Sequence, residues 1–242
     1  MIVKPKGKDF KIRASMIRAI MTQPQAKEKK EGKPSVTTQA YLKEWLIEKM
    51  YGQKKEFKSK YTDKGNEVED AGIDLIVKHL QLGMAIKNTE RFENDFFTGE
   101  PDILIPDTVI DNKSVWSVHS FPILETDLPK KYEGYNAQIQ GYMALTDRPK
   151  GKLIFTLINT PDGLVEREVK SYCWENGIDF GKDDITEVYQ EIKSRHVYDQ
   201  FELKHRIKEF EVYRDNDFIE AVEEQVEECR EYLDEVLIRN IK

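Results

Sequence analysis

Residues Gly99–Trp116 read GEPDILIPDTVIDNKSVW, and the fold of the chain turns on how this stretch pairs with itself. Ile103, Leu104 and Ile105 make a short apolar strand. Pro106-Asp107 then supplies a type I turn, proline setting the first turn angle and aspartate suiting the second. The chain returns from Val109. Side chains alternate along a strand, so Val109, Asp111, Lys113 and Val115 face one way while Ile110, Asn112, Ser114 and Trp116 face the other. Pairing across the turn carries Asp111 back towards Asp102, so two carboxylates and an ammonium group converge. Carboxylates that close repel unless a cation or a proton lies between them. Hard oxygen donors suit Mg²⁺ or Mn²⁺, one ion or two, and the Asn112 backbone carbonyl offers a further ligand. Such an ion activates a bound water and neutralises charge building on a phosphate, with Lys113 placed to hold the water or the phosphorus centre. By themselves these residues fit a salt-bridged hairpin edge at least as well, and Asp107 is a turn residue.

Upstream of the hairpin, Ala14–Met21 has the spacing of a short helix capped by Ser15, and Thr22–Pro34 is polar and low in complexity, as in a mobile loop. A helix follows from the cap Ser35 to Gly52, its apolar face built by Tyr41, Leu42, Trp45, Leu46 and Met50. The lysine-rich segment 54–64 interleaves Phe57 and Tyr61 and is a candidate phosphate path. A largely buried helix is expected over Gly65–Gly83, starting after Asp63, with Glu67, Glu69 and Asp70 in its first turns. Acids there follow from the helix macrodipole and are weak signals alone. Met84–Phe92 reads as a strand.

Downstream, residues 130–146 read as a helix. Leu153–Thr160 and Leu164–Trp174 alternate like two strands joined at Pro161-Asp162-Gly163. Asp183–Tyr198 is expected as a helix, Arg206–Arg214 as a strand, and residues 215–240 as an amphipathic C-terminal helix with Ile219, Val222, Val226, Cys229, Leu233 and Val236 turned inward.

With 242 residues, 39% of them hydrophobic, the chain suits a single domain over 1–242 with a normal core. No apolar run approaches the roughly 18 residues that span a bilayer, so no membrane role is expected. The N-terminus lacks the apolar core of a secretory signal, which points to the cytoplasm. Cys173 and Cys229 are too far apart in sequence for a zinc or iron-sulfur site and read as reduced thiols. The net charge of -7 conceals a split: residues 1–64 carry 17 Lys/Arg against 7 Asp/Glu, and the remainder carries 21 against 38. A basic arm of this kind can lie on phosphates while the acidic remainder keeps the protein in solution.

At the hairpin the sequence resembles the PD-(D/E)XK nuclease superfamily, as Pro101-Asp102 followed by Asp111-Asn112-Lys113. Gly65-Asn66-Glu67-Val68-Glu69 is similar to the helix of the lambda exonuclease, YqaJ-like and RecB-like branches, where a glycine precedes a metal-binding glutamate by four residues; this selects Glu69 over Glu67. Tyr135-x-x-Gln138 resembles the branch's site-facing glutamine helix, with Tyr142 one turn further on the same face. Ile12-Arg13-Ala14-Ser15 resembles the exonuclease motif Ile-Thr-Ala-Ser, whose serine contacts the 5'-phosphate. The resemblance implies a restriction-endonuclease-like α/β core, a central mixed sheet flanked by helices.

It further implies a metal-dependent DNA exonuclease of phage recombination or repair that degrades linear duplex DNA from a 5' end. Glu69, Asp102, Asp111 and the Asn112 carbonyl would hold Mg²⁺ or Mn²⁺, Lys113 and Gln138 would position water, and Ser15, Arg13, Lys8 and Tyr142 would contact DNA. A single-strand annealing protein and further copies of the chain are the partners it suggests. The chain departs from the pattern in having Asp111 where glutamate is usual and Arg13 in place of threonine; it also lacks the cysteine cluster of the Cas4-like branch. A RecB-like nuclease acting on single strands or flaps, and a non-catalytic DNA-binding module of the same fold, remain the alternatives. A second match, Pro161-Asp162 with Glu168-Val169-Lys170, reads better as a hairpin turn and the solvent face of a strand. The four histidines are scattered and read as structural.

Overall fold

The computed structural model describes residues 4–55, 59–83, 87–124 and 132–241. The expected strand start at 84–86, the helix start at 130–131 and Phe57 of the lysine-rich segment lie outside them. Strands β1 (Ile12–Arg13), β2 (Phe92–Glu93) and β3 (Phe97–Gly99) form a small sheet in the order β1-β3-β2. Strands β4 (Ile103–Ile105), β5 (Thr108–Ser114), β6 (Lys150–Thr156) and β7 (Ile207–Tyr213) form the main sheet in sequence order, parallel between β5 and β6 and antiparallel elsewhere.

The hairpin has the expected register, Ile103 opposite Ile110 and Ile105 opposite Thr108. The alternation of β5 divides the core accordingly. Val109 joins Leu153, Phe155, Ile139 and Met143 on one face of the sheet. Ile110 joins Ile103, Ile154, Ile73 and Ile76 on the other. The first face is covered by α6 (Glu133–Thr146) and the second by α5 (Glu69–His79). Helix α6 is buried on most sides, since beyond the sheet it meets α1 (Ile17–Ile20) and the 3-10 turn Ala14–Met16. Helix α5 lies so close to β5 that a Cβ at Gly72 would meet the Asn112 amide nitrogen at 2.3 Å.

The third core region joins the N-terminal segment, α3 (Val36–Tyr51) and α9 (Asn216–Tyr232) through Phe10, Ile17, Leu42, Trp45, Val222 and Val226. Ser35 caps α3 by accepting from the Thr38 amide at 3.0 Å, and Gly52 closes the helix at φ +67°. Asp215 caps α9 through the Phe218 amide.

Several expectations need correction. Ser15 is exposed within the 3-10 turn and caps nothing. The loop 22–34 contains a short helix, α2 (Ala26–Lys30). The helix expected after Asp63 is two helices: α4 (Lys60–Glu67), capped by Ser59, breaks at Val68 before α5 begins at Glu69. Asp63 lies inside α4 and pairs with Arg167 at 2.8 Å. Of the strand expected over 84–92, residues 87–91 are irregular and pairing starts at Phe92.

The largest error concerns 164–174, which is not a strand but most of helix α7 (Asp162–Glu175), followed by α8 (Thr186–Ser194). Leu164, Val165, Val169 and Cys173 are its buried residues. Four-residue steps from Val165 to Cys173 satisfy a helix, and the charged residues between them mimic strand alternation. Glu166 and Lys170 are therefore an i,i+4 pair at 2.8 Å rather than one face of a strand.

Candidate active site

The ladder between β4 and β5 ends at Ile103 and Ile110, so the next amide on that edge of β5, Asn112 N–H, has no strand partner. It donates instead to the Asp102 carboxylate at 2.6 Å. The backbone around Asp102 is fixed by Asn88, whose amide N–H donates to the Asp102 carbonyl at 2.7 Å and whose side chain donates to the Pro101 carbonyl at 2.9 Å. Asp111 follows Ile110 on β5 and is 1% exposed. Its Oδ2 lies 2.7 Å from Lys113 Nζ. The two are ion-paired, and Lys113 is the partner of this otherwise unbonded buried oxygen. Its Oδ1 accepts from Gln138 Nε2 of α6 at 3.2 Å.

These residues line one cavity of about 500 Å³ with Glu69, Asn112, Tyr61, Gly65, Asn66, Trp116 and Tyr135. Burial, reinforced by the Asp111 carboxylate, pushes Asp102 up to about 7. Burial likewise raises Asp111. For Lys113 burial opposes the charge, but the carboxylates of Asp111 and Asp102 outweigh it and hold the ammonium above the usual lysine value. Lys113 is therefore protonated at neutral pH, a donor and a positive charge rather than a base. Its Nζ also sits 4.9 Å from the centre of the Tyr135 ring, which itself stacks on Tyr132.

The structure thus brings Asp102, Asp111, Asn112, Lys113, Glu69, Gln138 and Tyr142 to one cavity. Glu69 lines it and Glu67 does not, but Glu69 is held by Lys87 at 3.3 Å. Among the described residues no three acid, histidine or cysteine side chains close around a common point. Lys8, Arg13 and Ser15 are not in the cavity lining, and Arg13 is ion-paired with Glu48. The Ser15 turn packs against α6, where a Cβ at Gly141 would meet Ala14 Cβ at 3.1 Å.

Tyr142, expected to contact DNA, is buried yet lines the cavity, and its hydroxyl accepts from Gln138 Nε2 at 2.8 Å. Sequence reasoning missed Asn88, Lys87, Tyr135 and Lys64. Tyr135 had a signal, being the first residue of the Tyr-x-x-Gln motif. The other three act across distances in sequence that no local pattern encodes. Trp116, expected in the core, is buried but also forms a wall of the cavity.

Neither a family model nor a curated protein sequence matches the chain. Among solved structures, the phage-related exonuclease of Haemophilus somnus 129PT shares 30% identity across 95% of this chain and 96% of that one, with a TM-score of 0.73. The alkaline exonuclease of Laribacter hongkongensis, solved alone and in complex with dAMP, shares 17% identity across 95% of this chain and 92% of that one, with TM-scores of 0.61 and 0.60. At that identity the likeness speaks for the fold. An acid-acid-lysine hairpin on this mixed α/β scaffold defines the PD-(D/E)XK nuclease class. Within it, the chain belongs to the phage-related exonuclease family, the lambda-exonuclease-like branch.

Proposed function

We propose that this protein is a divalent-metal-dependent exonuclease that hydrolyses one strand of linear duplex DNA from a 5' end. The observation that carries the reading is the buried Asp111 carboxylate, set between the Lys113 ammonium and the Gln138 amide and across the hairpin from Asp102. The donor set suits Mg²⁺ or Mn²⁺. Asp111 Oδ2 is a buried oxygen whose partner is the Lys113 ammonium, and the two aspartates repel each other in a site that penalises their charge. Asp102, Asp111 and the Asn112 carbonyl would hold the ion, with Glu69 joining when it leaves Lys87. When bound, the metal activates a water and offsets charge on the phosphate.

The chain's own residues do the rest. Lys113 donates to the attacking water and to the phosphate oxygens as negative charge develops, and Asp111 holds that ammonium in place. Gln138, fixed by Tyr142, presents its amide to the same point. Ser15, in the turn beside α6, would receive the terminal phosphate, and the basic segment 1–64 would supply sequence-independent contacts to the backbone.

The test is a substrate panel of 5'-phosphorylated linear duplex, single strand and closed circle, with Mg²⁺, with EDTA, and with Lys113→Ala. Cleavage of the linear duplex that stops with EDTA and falls at least about a hundredfold in the folded variant supports the reading, and the circle is spared. Preference for the single strand would instead favour the RecB-like reading. Binding without cleavage on any substrate would favour a non-catalytic module. Association with further copies of the chain or with a single-strand annealing protein is tested by light scattering and co-elution.

A further inference from the structure

Lys64 is fully buried on α4. Its Nζ donates to the Trp116 carbonyl at 3.0 Å and lies over the rings of Tyr198 and Trp116 at 5.1 and 5.8 Å. Among the described residues it forms no ion pair with a carboxylate. The nearby charged and titratable groups are Lys60 and His196, with Glu168 paired to both. Burial alone lowers the Lys64 pKa to about 7. An uncompensated buried lysine is a costly residue to keep in a fold, because desolvation opposes its charge and its long side chain is immobilised. Where such a group persists, a role in the site is a better account than stability.

Its position says which role. The Trp116 carbonyl ends the chain leaving β5, three residues beyond Lys113, and the Tyr198 hydroxyl lies between it and the Arg195 carbonyl, at 3.3 and 3.0 Å. Lys64 lies on the last turns of α4, and after the break at Val68 the next residue is Glu69. Among the described residues the ion pairs from the outer side of α4 to α7 are Asp63–Arg167 and Lys60–Glu168, each with a half-buried acid and an exposed cation. The buried bond from Lys64 to Trp116 therefore ties α4 to the end of the strand that carries Asp111 and Lys113, and it adds to the packing of α5 on the same strand at Gly72 and Asn112.

We propose that Lys64 is a positioning residue that sets the spacing of Glu69 from Asp111 and Lys113, and so the affinity of the site for its divalent cation. The assignment rests on the nuclease reading and extends it. Lys64→Met keeps the bulk and apolar stem of the side chain while removing the donor. The test combines Mn²⁺ titration calorimetry, thermal unfolding, and kcat and KM on linear duplex for the wild type, Lys64→Met and Tyr198→Phe, the last removing the hydroxyl that the Trp116 and Arg195 carbonyls share.

Lys64→Met is expected to unfold at the same temperature as wild type or higher at pH 7. It should bind Mn²⁺ about tenfold more weakly and lose kcat by a similar factor, with KM for DNA within about twofold. Tyr198→Phe should shift Mn²⁺ affinity in the same direction by a smaller factor. Unchanged Mn²⁺ affinity in Lys64→Met overturns the proposal, as does failure of that variant to fold, which would make the lysine a structural residue. Absence of cleavage by the wild type would sink the nuclease reading, while the calorimetry would still report on the spacing.

Discussion

Two lysines are withdrawn from water on either side of β5, and they resolve the same problem in opposite ways. Lys113, on the α6 side, lies beside Asp111 and within the field of Asp102, and its charge is held above the ordinary lysine range. Lys64, on α4, has a carbonyl and two ring faces, and its pKa falls to about 7. A buried ammonium needs a counter-charge or it tends towards the neutral amine. The carboxylates of the cavity lie beside Lys113 and not beside Lys64. The other lysine keeps its hydrogen bond and loses much of its charge.

Removing the counter-charge breaks this contrast most severely. In Asp111→Asn the Lys113 ammonium loses its nearest anion and the site loses its most buried oxygen ligand. Cleavage should fall by about a thousandfold or more, with Mn²⁺ binding undetectable by calorimetry while circular dichroism remains that of the wild type. Retention of tight Mn²⁺ binding would remove Asp111 from the ligand set.

A second comparison sharpens the other half. The folded-state pKa of Lys64 is lowered from 10.5 to about 7, so in that window the unfolded chain binds the extra proton. Stability linked to this group is fully present above the unfolded value and is lost as pH falls towards 7. Thermal midpoints of wild type and Lys64→Met should therefore differ most near pH 7, with the variant higher, and the gap should narrow towards pH 10. A gap that stays constant across that range would mean that Lys64 remains charged in the fold.

The smallest effect is expected behind the glutamine. Tyr142→Phe removes the hydroxyl that accepts from Gln138 but leaves the ring packed. A loss of kcat by about three- to tenfold is expected, in line with one neutral hydrogen bond, and Gln138→Leu should mask it. If Tyr142→Phe costs as much in the Gln138→Leu background, the two residues act separately.

Much of this was legible in the chain because it is local. The turn Pro106-Asp107 and strand alternation fix which residues face Asp111, and the caps Ser35 and Asp215 with the spacing of Ile219, Val222 and Val226 mark helices by chemistry within a few positions. Helix α7 misled because Val165, Val169 and Cys173 satisfy a helix while the charges around them also satisfy a strand, and only the absence of a pairing partner decides. The small sheet is illegible for another reason. Its strands are two or three residues long and its parallel pair joins Ile12 to Phe97, so no window of sequence contains the signal. At the site, Asp102, Asp111 and Lys113 were recoverable from strand pairing and spacing, and Gln138 from the resemblance of Tyr135-x-x-Gln138 to the family's helix. Lys64 was not, since in sequence it is one more lysine in a basic run.

The N-terminal segment has a consequence for how the molecule is made. Arg230 of α9 donates to the Phe10 carbonyl through two of its nitrogens, at 3.1 and 3.0 Å, and to the Asp95 carbonyl at 2.6 Å. Phe10 is completely buried against α3, so it receives these hydrogen bonds from a helix 220 residues further along the chain. During translation the turn that carries Ser15 has neither Phe97 beside it nor Arg230 to anchor it until those residues have emerged. Long-range closure of this kind is slow. The hairpin, complete within a dozen residues, is a local contact that forms early, so the strand that carries Asp111 and Lys113 precedes the layer that packs behind α6.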